Sequence, residues 1–143
     1  NLMLFYTNIK RDASEILTVQ SAETLKKLEV LKGMKNLVMP LSQILSKGSN
    51  INEVGDVLHK GWQLKKSITS IISSEKIDEH YNLALNAGAL GGKLLGAGGG
   101  GFLMLYVEPH NQKAVCEALS DLYHLEFKFD TGGTCITYYD QAI

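Results

Sequence analysis

Residues 91–107 form the stretch GGKLLGAGGGGFLMLYV, the most unusual part of the chain. Five of the 14 glycines lie from Gly96 to Gly101, and the apolar run Phe102–Val107 follows directly. Glycine inside regular secondary structure lowers stability by about 0.5–1 kcal/mol relative to alanine. A run of glycines therefore indicates either positive φ angles or a backbone that closely approaches another group. A hairpin loop needs only two to five residues, although a flexible hairpin stays open as the simpler interpretation. The stretch therefore predicts a loop between two strands whose backbone approaches a ligand closely.

Three known glycine-rich nucleotide motifs do not account for this loop. Gly96, Gly98 and Gly101 match G-x-G-x-x-G, but the dinucleotide fingerprint opens a helix, whereas a strand is predicted at 102–107. The Walker A motif requires Lys and then Ser or Thr where Phe102 and the next residue stand. A protein-kinase glycine loop does join two strands, yet the sequence contains neither H-R-D nor D-F-G.

From Ala89 onward, the pattern consists of short apolar runs of the β type. Leu125, Phe127 and Phe129 alternate with polar residues, as in a strand with one exposed face, and the turn residues 131–133 follow. One helix is predicted after Pro109. The predicted strands are 93–95, 102–107, 125–130 and 134–139. Antiparallel pairing is expected, in the order β-β-α-β-β.

Upstream of the loop, the sequence predicts a strand and four helices. The apolar residues 1–6 predict a buried strand, and Asp12 to Glu15 have the spacing of a capping box that begins a helix. A long amphipathic helix is predicted at 25–45, kinked near 36–40 because proline removes a backbone hydrogen bond. This long helix is predicted to end near Gly48, and Asn50 or Asn52 is predicted to cap the helix that follows. The last helix is predicted to begin at Ser73 and Ser74 and to end at Gly88.

These elements predict one α+β domain that covers residues 1–143. Strands with helices between them, without a long βαβ series, indicate a ferredoxin-like antiparallel sheet with helices packed on one face. A chain of 143 residues is large enough to bury a core without disulfides.

The composition excludes several functional classes. The 14 Lys and Arg against 15 Asp and Glu give a net charge of −1, which argues against nucleic-acid binding. The longest apolar run, 102–107, is far shorter than the ~20 residues of a membrane-spanning helix. Cys116 and Cys135 show no paired spacing, so we expect a cytoplasmic protein without disulfides or a metal site of its own. The four histidines, which also lack metal-ligand spacing, are His59, His80, His110 and His124.

The segment Gly91–Phe102 resembles the third conserved motif of the GHMP kinases, a superfamily that includes galactokinase, homoserine kinase and mevalonate kinase. Four segments in the right order look most like the C-terminal half of the heptose 7-phosphate kinase branch. The resemblance covers essentially the whole chain. The four segments are Leu4–Thr7, Arg11–Leu17, His59–Lys65 and Gly91–Phe102.

The resemblance implies ATP-dependent phosphoryl transfer, with Mg²⁺, to the anomeric hydroxyl of a heptose 7-phosphate. The other half of such kinases carries a Pro-x-x-x-Gly-Leu-Gly-Ser-Ser nucleotide loop and a catalytic aspartate, and this sequence contains neither. We therefore expect residues 1–143 to be a C-terminal domain without a catalytic residue, inactive in isolation. An N-terminal nucleotide-binding domain is its implied partner and supplies most of the Mg²⁺ ligands.

The resemblance also implies which residues lie near the substrates. Lys10 and Arg11 follow the first strand, where a guanidinium can clamp a sugar phosphate, although a solvated pair at a helix start is the alternative. Lys65 and Lys93 are further candidates, but lysines that merely cover core surface are equally common. Valine at position 98 or 100 is expected to lower kcat with little effect on stability. The implied phosphate-proximal loop consists of Gly96, Ala97, Gly98, Gly99, Gly100 and Gly101.

Two further expectations concern a non-catalytic function and the self-association of the chain. Domains of this α+β shape also serve as small-molecule-sensing or interaction modules, and the coding sequence upstream of Asn1 would discriminate between these functions. An RNA-binding sheet is not favoured, since no RNP1-like run occurs. The apolar strand at 1–6 is expected to be an exposed sheet edge through which the chain forms a homodimer.

Overall fold

The computed structural model describes residues 1–48 and 50–139. Short 3₁₀ turns occur at Leu25–Lys27, Ser70–Ile72 and Pro109–Asn111. None of the helices described is long and apolar enough to cross a bilayer. The helices are α1 (Ala13–Thr24), α2 (Leu28–Asn36), α3 (Val38–Lys47), α4 (Glu53–Lys66), α5 (Glu75–Asn86) and α6 (Gln112–Ala118), and the strands are β1 (Leu2–Tyr6), β2 (Ala89–Leu94), β3 (Phe102–Val107) and β4 (Tyr123–Leu125).

The strands form one antiparallel sheet in the order β2-β3-β1-β4. β1 pairs with β3 along its whole length, from Leu2 opposite Tyr106 to Tyr6 opposite Phe102, and with β4 on its other side. The first strand is therefore in the interior of the sheet. The expectation that it is an exposed edge is wrong, because both sides of its backbone are hydrogen-bonded to neighbours.

One face of the sheet carries the main core. Met3 lies opposite Leu105 and Phe5 opposite Leu103, and all four side chains are buried. This arrangement confirms the predicted α+β class with an antiparallel sheet. The buried residues that helices and their connections add to this core are Ile16, Trp62, Ile68, Ile72, Ile77, Tyr81, Ala84, Val115 and Leu119.

Local signals placed most of the helix boundaries correctly. The long helix predicted at 25–45 is interrupted at Leu37, between α2 and α3, within the region where a kink is predicted. Pro40 then lies in the first turn of α3, where a missing N–H breaks no helical hydrogen bond. α3 ends at Gly48, which has a φ of +60°, and the Ser74 side chain caps α5 by accepting the Ile77 N–H.

The two predicted C-terminal strands are wrong beyond Leu125. β4 covers only Tyr123–Leu125, and residues 126–139 form neither helix nor strand and are exposed. Alternation of apolar and polar residues favours a strand only where a neighbouring strand offers hydrogen bonds. β1 pairs with β4 through only three residues, so nothing in the described chain completes the predicted hairpin.

β2 begins at Ala89, four residues before the predicted start at Lys93. Gly91 and Gly92 are part of this strand, and α4 packs directly on it. A Cβ atom at Gly91 would overlap the Gly55 carbonyl oxygen of α4. Gly91 therefore permits close packing of α4 on β2, whereas a Cβ atom at Gly92 would overlap the Met104 carbonyl oxygen of β3. The loop begins only after Leu94.

Candidate functional site

A cleft opens where β1 ends and β3 begins. Residues that follow β1 line one part of it, and the loop 95–101 between β2 and β3 lines another. The cleft has a volume of about 470 Å³. It brings the glycine loop together with Lys10 and Arg11, which are distant from it in the sequence. The lining residues are Tyr6, Ile9, Lys10, Arg11, Ala13, Leu95, Gly96, Ala97, Gly98, Gly100 and Gly101.

Backbone hydrogen bonds anchor the glycine loop to two other segments. The Gly101 N–H donates to the Ile9 carbonyl oxygen at 3.1 Å, after the end of β1. The Gly99 N–H donates to the Ile72 carbonyl oxygen at 2.8 Å, in the turn before α5. These bonds argue against a free, flexible hairpin, since they tie the loop to segments that belong to the core.

Four loop N–H groups remain available to a ligand. Within residues 1–48 and 50–139, no acceptor bonds the N–H of Gly96, Ala97, Gly98 or Gly100. All four residues line the cleft. Successive unbonded backbone N–H groups favour anionic oxygen atoms, because fixed dipoles stabilise charge without reorganisation. The loop is therefore suited to bind a phosphate group.

Glycine is required at positions 98 and 100 by the chain's own backbone. A Cβ atom at Gly100 would overlap the Ile9 carbonyl oxygen, and one at Gly98 would lie 2.9 Å from the Ile72 carbonyl oxygen. A side chain at either position displaces a segment that anchors the loop. These contacts argue against the expectation that valine there leaves stability nearly unchanged. The close approach inferred from the sequence occurs, but here the group approached is protein backbone.

Sequence reasoning missed Thr7, which fixes the geometry between the loop and β1. Thr7 is 1% exposed, and both its N–H and its hydroxyl donate to the Gly101 carbonyl oxygen at 2.9 Å. The hydroxyl also accepts the Ile9 N–H at 3.3 Å. The only sequence signal was a hydroxyl residue at the end of an apolar strand.

We expect Thr7→Val to lower the free energy of unfolding by about 1–3 kcal/mol, because the Ile9 N–H loses its acceptor and the Gly101 carbonyl loses one of its two donors while the side-chain shape is kept. Thr7→Ser keeps the hydroxyl and should lose less. Urea denaturation of both variants measures the difference. A Thr7→Val variant as stable as the unmodified chain would show that these bonds do not hold the cleft together.

Arg11 lies beside the glycine loop at the start of α1. Its Cγ atom lies 3.2 Å from the position that a Cβ at Gly99 would take, while the side chain as a whole is exposed. The Asp12 carboxylate accepts the Ser14 N–H at 2.8 Å and the Ser14 hydroxyl at 2.7 Å. These bonds lower the pKa of Asp12 and define the first turn of α1. The helix start thus places Arg11 at the rim of the cleft.

Lys65 and Lys93 have a different arrangement. The Lys65 ammonium of α4 donates a hydrogen bond to the Gly96 carbonyl oxygen, so it contacts the loop from outside the cleft. Burial, and then the charge of Lys93, lower the pKa of Lys65. Both lysines line a separate groove of about 180 Å³ between α2, α3 and α4, whose other lining residues are mostly apolar. Of the four candidate cations, only Lys10 and Arg11 line the cleft itself.

The half-buried His59 and the buried His80 both contact groups within the protein. His59 Nδ1 lies 2.8 Å from the Tyr81 hydroxyl, and burial raises the pKa of Tyr81 to about 12. His80 Nε2 lies 2.8 Å from an Asp121 carboxylate oxygen. Over the described ranges, no group of three or more His, Cys, Asp or Glu residues is placed to hold a metal ion. The described lining of the cleft contains no carboxylate either.

The chain matches a known protein family and is similar to proteins of that family. The family model "GHMP kinases C terminal" matches residues 41–125. The chain is 30% identical over 135 residues to D-glycero-alpha-D-manno-heptose 7-phosphate kinase of Campylobacter jejuni, which covers 92% of this chain. The chain spans 40% of the length of that relative.

Solved structures establish the fold. Mevalonate kinase of L. major, in complex with R-mevalonate, superposes with a TM-score of 0.76 at 18% identity over 86% of this chain and 40% of its own. Phosphomevalonate kinase of Streptococcus pneumoniae, in complex with phosphomevalonate and AMPPNP, superposes with a TM-score of 0.74 at 16% identity over 87% and 38%.

Proposed function

The chain belongs to the GHMP kinases, in the C-terminal region of that family, and from this membership we propose that it is one half of an ATP-dependent heptose 7-phosphate kinase. The phosphoryl acceptor is the anomeric hydroxyl of the heptose. The similarity to the Campylobacter jejuni heptose kinase over 92% of the chain supports this choice of sugar. Use of ATP is consistent with a cytoplasmic location.

The observation that carries this proposal is a cleft that combines unbonded loop N–H groups with two cations. Phosphoryl transfer depends on positioning and on neutralising the charge of the moving group, and little covalent chemistry is required of the protein. In the proposed complex, the N–H groups of Ala97, Gly98 and Gly100 bind the phosphate oxygens of ATP. Arg11, assisted by Lys10, binds the 7-phosphate of the acceptor through a planar pair of N–H donors.

The remaining requirements are assigned to the other half of the full-length protein. Mg²⁺ prefers carboxylate and phosphate oxygens, and no carboxylate lines the cleft in the described part of this chain. The metal would therefore be held by the ATP phosphates and by an N-terminal nucleotide-binding domain. That domain also supplies the catalytic base, so residues 1–143 form a C-terminal domain that completes the site.

The test of this function compares the isolated chain with the full-length protein. Full-length protein is expected to consume ATP with heptose 7-phosphate at a rate in the ordinary enzyme range of ~1–10³ s⁻¹, whereas the chain alone should show no turnover. Product is identified by ³¹P NMR as a sugar carrying a second phosphate at the anomeric carbon. Heptose without the 7-phosphate is the control substrate.

Two outcomes would contradict the proposal that this chain is one half of a kinase. Turnover by the isolated chain would show that the catalytic residues lie within it and that the division into halves is wrong. Binding of heptose 7-phosphate without turnover by the full-length protein would favour a sensing module instead of a kinase.

A further inference from the structure

The outer edge of β4 is unpaired over the described residues, and the chain that continues from it has the pattern of a strand. Among residues 1–48 and 50–139, β4 is the last strand of the sheet and β1 is its one partner. Residues 126–130 continue it with alternating polar and apolar side chains, all of them exposed. An edge strand with free N–H and C=O groups is a template for another strand.

The apolar residues of this segment continue one face of the sheet. Leu125 pairs with Leu4 of β1, so both lie on the sheet face that the main core does not cover. The rings of Phe127 and Phe129 contact each other at a centroid distance of 5.8 Å, as residues two apart on one face of an extended chain do. Phe127 is 39% exposed and Phe129 is 78% exposed, so the two rings form an exposed aromatic pair on this segment.

We propose that residues 124–130 pair antiparallel with the same segment of a second copy of this chain, about a two-fold axis at Phe127. The sequence 124–130 is HLEFKFD. In this register Glu126 lies opposite Lys128 of the partner copy, and Leu125 lies opposite Phe129 of the partner copy. His124 lies opposite Asp130 of the partner copy. The two sheets then join into one of eight strands through an isologous interface.

The charge pattern selects this register over its neighbours. A shift of one residue places apolar side chains opposite polar ones, and the strand loses its continuous apolar face. A two-fold axis at Glu126 places two glutamates opposite each other, and an axis at Lys128 places two lysines together. Opposite charges directly across an antiparallel pair are stabilising and like charges are destabilising, so only the axis at Phe127 satisfies all the charged positions.

This inference does not rest on the proposed kinase activity, and its test is a charge-swap series followed by sedimentation equilibrium. Glu126→Lys and Lys128→Glu each convert two attractive pairs of the dimer into repulsive ones. Each single substitution should raise the dimer dissociation constant by at least about tenfold. The double variant Glu126→Lys/Lys128→Glu restores opposite charges and should return the constant to within about threefold of the unmodified chain.

The matched control is Lys113→Glu on α6, an exposed charge reversal outside the segment, which should leave the dissociation constant unchanged. A chain that is monomeric at high micromolar concentration would overturn the proposal. So would a dimer that the single reversals do not weaken or that the double variant does not restore. Hydrogen-exchange protection of residues 126–130 that is independent of protein concentration would assign the segment to its own chain and would equally overturn it.

Discussion

Gly100→Ala is expected to lower the free energy of unfolding by about 3 kcal/mol, a large effect for the addition of one methyl group. The new Cβ atom would overlap the Ile9 carbonyl oxygen, and a backbone atom cannot move aside as a flexible side chain can. The same oxygen accepts the Gly101 N–H, so displacement also breaks an anchor of the glycine loop. Urea denaturation followed by circular dichroism measures the change.

Gly61→Ala in α4 provides the matched control. A Cβ atom there meets the Leu37 side chain at 3.5 Å, an ordinary van der Waals distance. Alanine is favoured over glycine inside a helix by about 0.8–1 kcal/mol, so this variant should be as stable as the unmodified chain or more stable. Equal losses of stability in the two variants, or no loss in Gly100→Ala, would contradict the close contact between Gly100 and the Ile9 carbonyl oxygen.

In the full-length protein, Arg11→Ala is expected to lower kcat/KM for heptose 7-phosphate by about 10–100-fold, the effect of losing charge-assisted hydrogen bonds to a phosphate. The 7-phosphate does not react, so the loss should appear more in KM than in kcat. Arg11→Lys keeps the charge but loses the planar pair of donors and should give an intermediate value. Steady-state kinetics at several acceptor concentrations separate the two constants.

Lys113→Ala is the control for this series, because it removes an exposed cation of α6 that does not line the cleft. Its kcat/KM should stay within about twofold of the unmodified enzyme, as expected for an exposed charge outside the site. Equal effects of Arg11→Ala and Lys113→Ala would indicate a general electrostatic effect and would remove Arg11 from the substrate site. A loss confined to kcat would place Arg11 at the transferred phosphoryl group instead.

Several features followed from the sequence because their causes are local. The apolar run Phe102–Val107 predicted β3, and proline at position 40 predicted an interruption that occurs at Leu37. Ser74 caps α5 as its spacing to the next apolar residues indicated. Each of these signals depends on backbone conformations and hydrogen bonds that span only a few residues.

The glycine motif shows the limit of such signals. Its residue types indicated a close approach, but only the tertiary structure showed that Gly98 and Gly100 approach the backbone of Ile72 and Ile9. The same glycine run also leaves backbone N–H groups unbonded. One segment therefore serves both close packing against the protein backbone and the proposed binding of phosphate. A pattern of glycines cannot tell these two causes apart, because both require only the absence of a side chain.

The sequence by itself determined the class of fold, the family resemblance and the identity of the loop that faces the cleft. Tertiary structure alone decided that β1 is interior, that Thr7 ties it to the loop, and that Lys10 and Arg11 line the cleft while Lys93 does not. It also decided that residues 126–139 form no strand, despite their alternating pattern. Alternation and helical period report the local backbone and its buried face, whereas a strand or a site also requires partners from distant parts of the chain, which no local pattern encodes.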